Sequence, residues 1–196
     1  MPLLPLFSYP AQAIAATFAP LFSIPPTMNA HYITLAFPHQ SLTPSTAHPN
    51  YATLTVWQKE LSGNAASVSS HLGEGQQGHL ALTVFEAKYL ANTGNVAFVP
   101  PLNPLLQPEQ AVGATGPQIT EANRTHLELK QTFNTYRAVD LAFCNLILAA
   151  VPHKYVNSLS HDITSFKNVS ALTIMTSLGN GTARSRRPKS PKISPA

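Results

Sequence analysis

Residues 117–151 read PQITEANRTHLELKQTFNTYRAVDLAFCNLILAAV, and the fold turns on how this stretch is read. Ile119, Ala122, His126, Leu129, Phe133 and Tyr136 follow one another at spacings of 3, 4, 3, 4 and 3. At about 100° per residue these six side chains fall within a sector of roughly 100°, an apolar seam on one face of a helix. Glu121, Arg124 and Glu128 fall on the other side, spaced to pair along a wet back. Thr115 or Gly116 is placed to cap the helix, and Pro117 suits its first turn, where the missing N–H costs nothing. A continued helix would put Asp140 on the seam, so the pattern predicts a break near residues 137–139 and a second helix after it. That helix, LAFCNLILAAV at 141–151, is apolar all round except for Asn145 and belongs at the centre of a bundle, with Leu146 and Ile147 in its core. Eleven residues are too few to cross a bilayer.

Outward from this pair, weaker periodicities predict shorter helices. Asn50 or Thr53 caps a helix to about Leu61, with Leu54, Trp57 and Leu61 on one face. Gly63-Asn64 ends or kinks it, and a short helical piece at 65–71 follows. GEGQQGH at 73–79 is a polar turn. Leu80, Leu82 and Val84 alternate as a short strand would, or lead into a helix through Ala91. Pro100, Pro101, Pro104, Pro108 and Pro117 make 95–117 a long loop over the surface. Pro152 opens a helix carrying Tyr155, Val156 and Leu159. Asn168 or Ser170 caps a last one, with Leu172, Met175 and Leu178 inward and Gly179-Asn180-Gly181 as its stop. The expected fold is all-α, a small bundle of about five short helices. The expected organisation is a Pro-rich, mostly irregular leader at 1–49, with a short extended piece around 32–37, a helical domain at 50–178, and a disordered basic tail at 179–196.

Charge separates the same three regions. Residues 1–58 contain no Asp, Glu, Lys or Arg, and residues 59–183 carry 7 basic and 8 acidic side chains. The last 13 residues add Arg184, Arg186, Arg187, Lys189 and Lys192 with no acid, so the formal net charge of +4 belongs to the tail. Those five cations are the candidate nucleic-acid contacts, able to hold a phosphate backbone, RNA included, weakly and without sequence preference. The near-neutral remainder offers no field for it.

Catalytic and ligand motifs are weak. GEGQQG at 73–78 has the glycine spacing of a dinucleotide loop, but no strand precedes it and no acid follows about 20 residues on. The eight histidines lack a HExxH pair or a cysteine partner, and no G-x-S-x-G occurs. We therefore expect no enzyme, no cofactor and no metal. Cys144, the one cysteine, cannot form an internal disulfide and suits a buried apolar site in a reducing, cytoplasmic setting. A secretory leader would need a basic start and an unbroken apolar run. Pro2, Pro5, Pro10 and Pro20 interrupt the N-terminus, and no spanning helix is expected there either. Sequons begin at Asn123, Asn168 and Asn180 and matter only to a secreted chain.

An ordered set of segments resembles the Gag-like N-terminal region of copia-type LTR retrotransposon polyproteins, especially those of diatoms and other algae. The segments are YATLTVWQKELSGNAASVSSHLGEGQQGHLAL at 51–82, EAKYLANTG at 86–94, VAFVPPLNP at 96–104, ATGPQITEANRTHLELKQTF at 114–133, LILAAVPHKYVNSL at 146–159 and FKNVSALTIMTSL at 166–178. The resemblance covers about two-thirds of the chain and carries no catalytic signature. It implies a capsid-like helical domain that associates with copies of itself into particles enclosing the element's RNA. The chain departs from that pattern after Leu178, where GNGTARSRRPKSPKISPA replaces further helix, and it has no Cys-rich zinc knuckle. The expectation is a truncated structural remnant whose self-association or core seam is Ile119, Ala122, Leu129, Phe133, Tyr136, Leu146 and Ile147. A basic-tailed nucleic-acid accessory protein and a small secreted helical protein are the alternatives.

Overall fold

The computed structural model describes residues 29–185 except 76, 108 and 110. Five α-helices and no strand occur among the described residues: α1 (Ala30–Ala36), α2 (Tyr51–Ser67), α3 (Glu86–Asn92), α4 (Gly116–Ala150) and α5 (Ala171–Ser185). The all-α class is as the periodicities indicate, although several boundaries move.

The largest correction is in α4. The helix runs unbroken for 35 residues, about 52 Å at 1.5 Å per residue, straight through the expected break. Asp140 is buried, and its Oδ1 accepts the Ala171 N–H at 3.0 Å, so it caps the start of α5. Arg137, one turn earlier, approaches its Oδ2 at 3.8 Å. A carboxylate at a helix N-terminus meets both an orphan N–H and the positive end of the helix dipole. The polar residue on the apolar face is thus satisfied by a helix 31 residues away in sequence.

The inner half of α4 is the centre of the bundle, as expected. Val139, Ala142, Phe143, Cys144, Leu146, Ile147 and Ala150 are buried, while Leu141, Asn145 and Ala149 form an exposed stripe at helical spacing. α1 and α5 pack on α4, and α2 packs on α5. Of residues 32–37, expected to be extended, all but Phe37 are helical, and Phe37 is the extended C-cap of α1. Asn29 Oδ1 accepts the Tyr32 N–H at 3.1 Å, and Ala30, Ile33 and Phe37 recur on the buried face, with Phe37 stacked on Phe143 at 5.3 Å. The stretch after α1 adds Leu42 to the core, and Ser45 N–H donates to the Ala150 carbonyl at the end of α4.

In α2, Asn50 is the cap, its Oδ1 accepting the Thr53 N–H at 2.9 Å. Gly63-Asn64 neither ends nor divides the helix. Asn64 is fully buried and bonds both backbone groups of His39, accepting from its N–H at 2.8 Å and donating to its carbonyl at 2.8 Å. Trp57 lies beneath the same segment and donates to the Thr43 carbonyl at 2.8 Å. α5 likewise continues through Gly179 and Gly181. A Cβ on Gly181 would lie 2.6 Å from His48 Nε2, so glycine there permits close packing against the 38–49 segment. Ile174, with Ala171, Met175 and Leu178, forms the inward face of α5, and Leu172 is only half-buried. His153–Tyr155 and Asn157–Leu159 form two 3₁₀ turns in place of the expected helix, and Leu80–Leu82 form another before α3.

Candidate functional site

The candidate surface is the outer half of α4, residues 116–135, together with the Pro-rich segment that runs beside it. The helix starts on a reciprocal cap. Gln118 Oε1 accepts from the Thr115 N–H at 2.9 Å and from its hydroxyl at 3.0 Å. Glu121, Arg124 and Glu128 form the expected surface triad, with N–O distances of 2.6 and 2.5 Å. The pairing with Arg124 holds the Glu121 carboxyl below its ordinary range. Fully exposed pairs of this kind direct which face meets solvent and add little to stability.

The seam itself is only half covered. Ile119, Ala122, His126, Phe133 and Tyr136 are half-buried, and Leu129 is 55% exposed. Leu146 and Ile147 belong instead to the closed core and are unavailable to a partner. Partial cover comes from the 95–115 loop. Phe98 stacks on Tyr136 at 6.0 Å and meets Tyr89 of α3 edge-on at 5.7 Å. Gln107 Nε2 donates to Asn123 Oδ1. Between loop and helix lies an open apolar groove of about 870 Å³, lined by Pro104, Leu106, Pro117, Ala122, His126 and Leu129 among others.

On its outer side the loop displays leucines that sequence reasoning passed over. Leu102, Leu105 and Leu106 are 87%, 74% and 90% exposed. The signal was present in PPLNPLL: prolines fix the chain in an extended path, so neighbouring leucines cannot all turn inward. Leu105 also has a positive φ of 55°, a conformation costly for a branched side chain.

A second feature lies under the glycine turn. His79 is 1% exposed and stacks at 6.5 Å on Tyr136; neither of its ring nitrogens has a hydrogen-bond partner in the protein. Burial lowers its pKa from 6.5 to about 4. Burial also raises the Tyr136 hydroxyl, helped by the Asp140 charge. A cleft of about 620 Å³ separates the turn from α4, and His71 and Thr132 meet across it with Nε2 and Oγ1 3.2 Å apart.

The remaining sequence candidates lie elsewhere. Arg184 is in the last turn of α5, while Arg186, Arg187, Lys189 and Lys192 lie outside the described residues. Cys144 is buried against the Val169 carbonyl, to which its Sγ donates at 3.3 Å, and burial pushes its thiol up to about 12. Among the described residues, no three His, Cys, Asp or Glu side chains are grouped to share a metal ion, and no helix is long and apolar enough to cross a membrane. No family model, curated protein or solved structure matches the chain.

Proposed function

We propose that the chain is a structural protein that works by packing against copies of itself, a Gag-like, capsid-type helical domain of the copia kind. One observation carries this reading: α4 is divided between a closed core and an outer half whose apolar seam its own chain only half covers. Exposed apolar surface rimmed by polar residues marks association, and here Leu129 of the seam and Leu106 of the loop line one open groove while both stay more than half exposed. Gln118, Glu121 and Thr125 supply the polar edge of that groove. The ordered segments that resemble Gag-like regions add the family to the reading.

Light scattering on the full chain over a concentration series tests it. The weight-average mass is expected to rise with concentration. A well-folded species that keeps the monomer mass of 21.1 kDa throughout refutes the reading.

The tail supports a second role, contact with RNA, on its five cations and no acids over the last 13 residues. Binding is expected to weaken steeply with salt and to vanish when 184–196 are deleted. Salt-independent binding, or binding that survives the deletion, refutes that role.

A further inference from the structure

We propose that the groove between the Pro-rich loop and the outer half of α4 takes the exposed loop leucines, Leu102 and Leu105, of a second copy of this chain. The inference rests on the self-association reading and names the surface and the mode of contact.

Three observations select a second copy as the occupant. The first is self-complementarity: each copy carries an apolar groove and, on the same loop, an apolar projection beside it. A two-fold axis between groove and projection exchanges them, so both contacts form at once, as isologous pairing requires. The second is charge. From residue 89 to residue 123 the only charged side chains are Glu109 and Glu121. A face this poor in charge is suited to the desolvated centre of an interface and offers little to an ionic ligand. The third is exposed apolar bulk. Leu102, Leu105, Leu106 and Leu129 are each more than half exposed, so every copy holds four leucine side chains that a pairing would take out of water. The left-handed backbone at Leu105 fits the same picture. It holds the side chain outward, where nothing in its own chain packs on it enough to offset the strain.

The test uses the full chain and two variants, sized by sedimentation across a concentration series, with Trp57 fluorescence and circular dichroism as checks of folding. Leu105→Gly removes the projection and relaxes the positive φ, so it keeps the fold. Leu129→Glu puts a charge into the groove at a half-exposed position. Each variant alone is expected to weaken association by about tenfold or more. Mixing the two restores one intact contact, Leu105 of the groove variant in the groove of the projection variant, so the mixture is expected to associate more tightly than either alone. If the natural chain associates and both variants match it, the contact lies elsewhere and this inference falls while self-association stands. Weakened variants that show no gain on mixing overturn the reciprocal pairing. A natural chain that stays monomeric overturns both readings.

Discussion

Replacing His79 by Phe should remove one source of the folded state's sensitivity to mild acid. His79 is enclosed by the glycine turn, α4 and the segment leading to α3, and its ring nitrogens find no partner there. The neutral ring is therefore favoured, and the pKa falls from 6.5 to about 4. At about 1.4 kcal/mol per pH unit that fall is worth about 3 kcal/mol. The sign follows from proton counting. Between pH 6.5 and 4 the unfolded chain binds the proton and the folded chain does not, so stability is complete above 6.5 and drains away as the pH drops towards 4. Phe keeps the stack on Tyr136 and removes two buried polar atoms. His79→Phe is thus expected to equal or exceed the natural chain at pH 7, within about 1 kcal/mol, and to lead it by about 3 kcal/mol at pH 4. Urea denaturation followed through the buried Trp57 measures both, and taking the difference between the two chains cancels every other titrating group. Parallel stability curves from pH 7 to pH 4 would show that His79 is solvated or partnered in the folded state, and the argument would fail.

Three further outcomes follow from groups whose partners are now known. Asp140→Ala strands the buried Ala171 N–H and should cost about 1–3 kcal/mol by equilibrium denaturation, whereas Asp140→Asn keeps the acceptor and should cost less than half of that; equal losses would mean that the charge and not the cap matters. Asn64→Ala removes both bonds to the His39 backbone and should cost about 2 kcal/mol in the same assay, so a loss within error of zero would show that water replaces them freely. Cys144, with its thiol raised to about 12, should resist iodoacetamide at pH 8 in the native chain and react at once in urea; fast native labelling would place it at the surface.

Local chemistry made the class and the strongest helices legible, and the misjudged breaks in α4 and α5 were decided by contacts distant in sequence. The 3-and-4 spacing of Ile119 to Tyr136 found the outer half of α4 and its wet back because both are properties of one helical turn after another. Asp140 suggested a break because a continued helix puts it on the apolar seam; its hydrogen-bond partner is the first N–H of α5. Gly181 read as a stop because a helical glycine costs about 1 kcal/mol relative to alanine, but the cost is offset where the missing Cβ lets α5 approach His48. Prolines on both sides hid α1, though Asn29, Ala30, Ile33 and Phe37 already had the cap and the spacing of a buried helix. The candidate surface was half legible. Its helix side followed from periodicity, whereas the loop leucines were passed over because a loop has no period to read.

The loop and the outer half of α4 need each other, and this is why the exposed leucines are not incidental. A 20-residue helix without tertiary support is marginal in water, and the surface triad adds only tenths of a kcal/mol. The support visible here is the loop: Phe98 on Tyr136, Gln107 on Asn123, and Pro104 and Leu106 along the groove wall. Laying a proline-rich segment on a helix covers only the side chains directly beneath it and leaves the others facing out. Leu102 and Leu105 are therefore displayed by the same geometry that steadies the helix. A loop trimmed of Leu102 and Leu105 would still hold α4, because the holding residues, Phe98, Pro104, Leu106 and Gln107, are others. A loop with Phe98 replaced by Ala would loosen the outer half and blur the groove. Helix content should then fall in the second case and not in the first, which separates the residues that build the surface from those it presents.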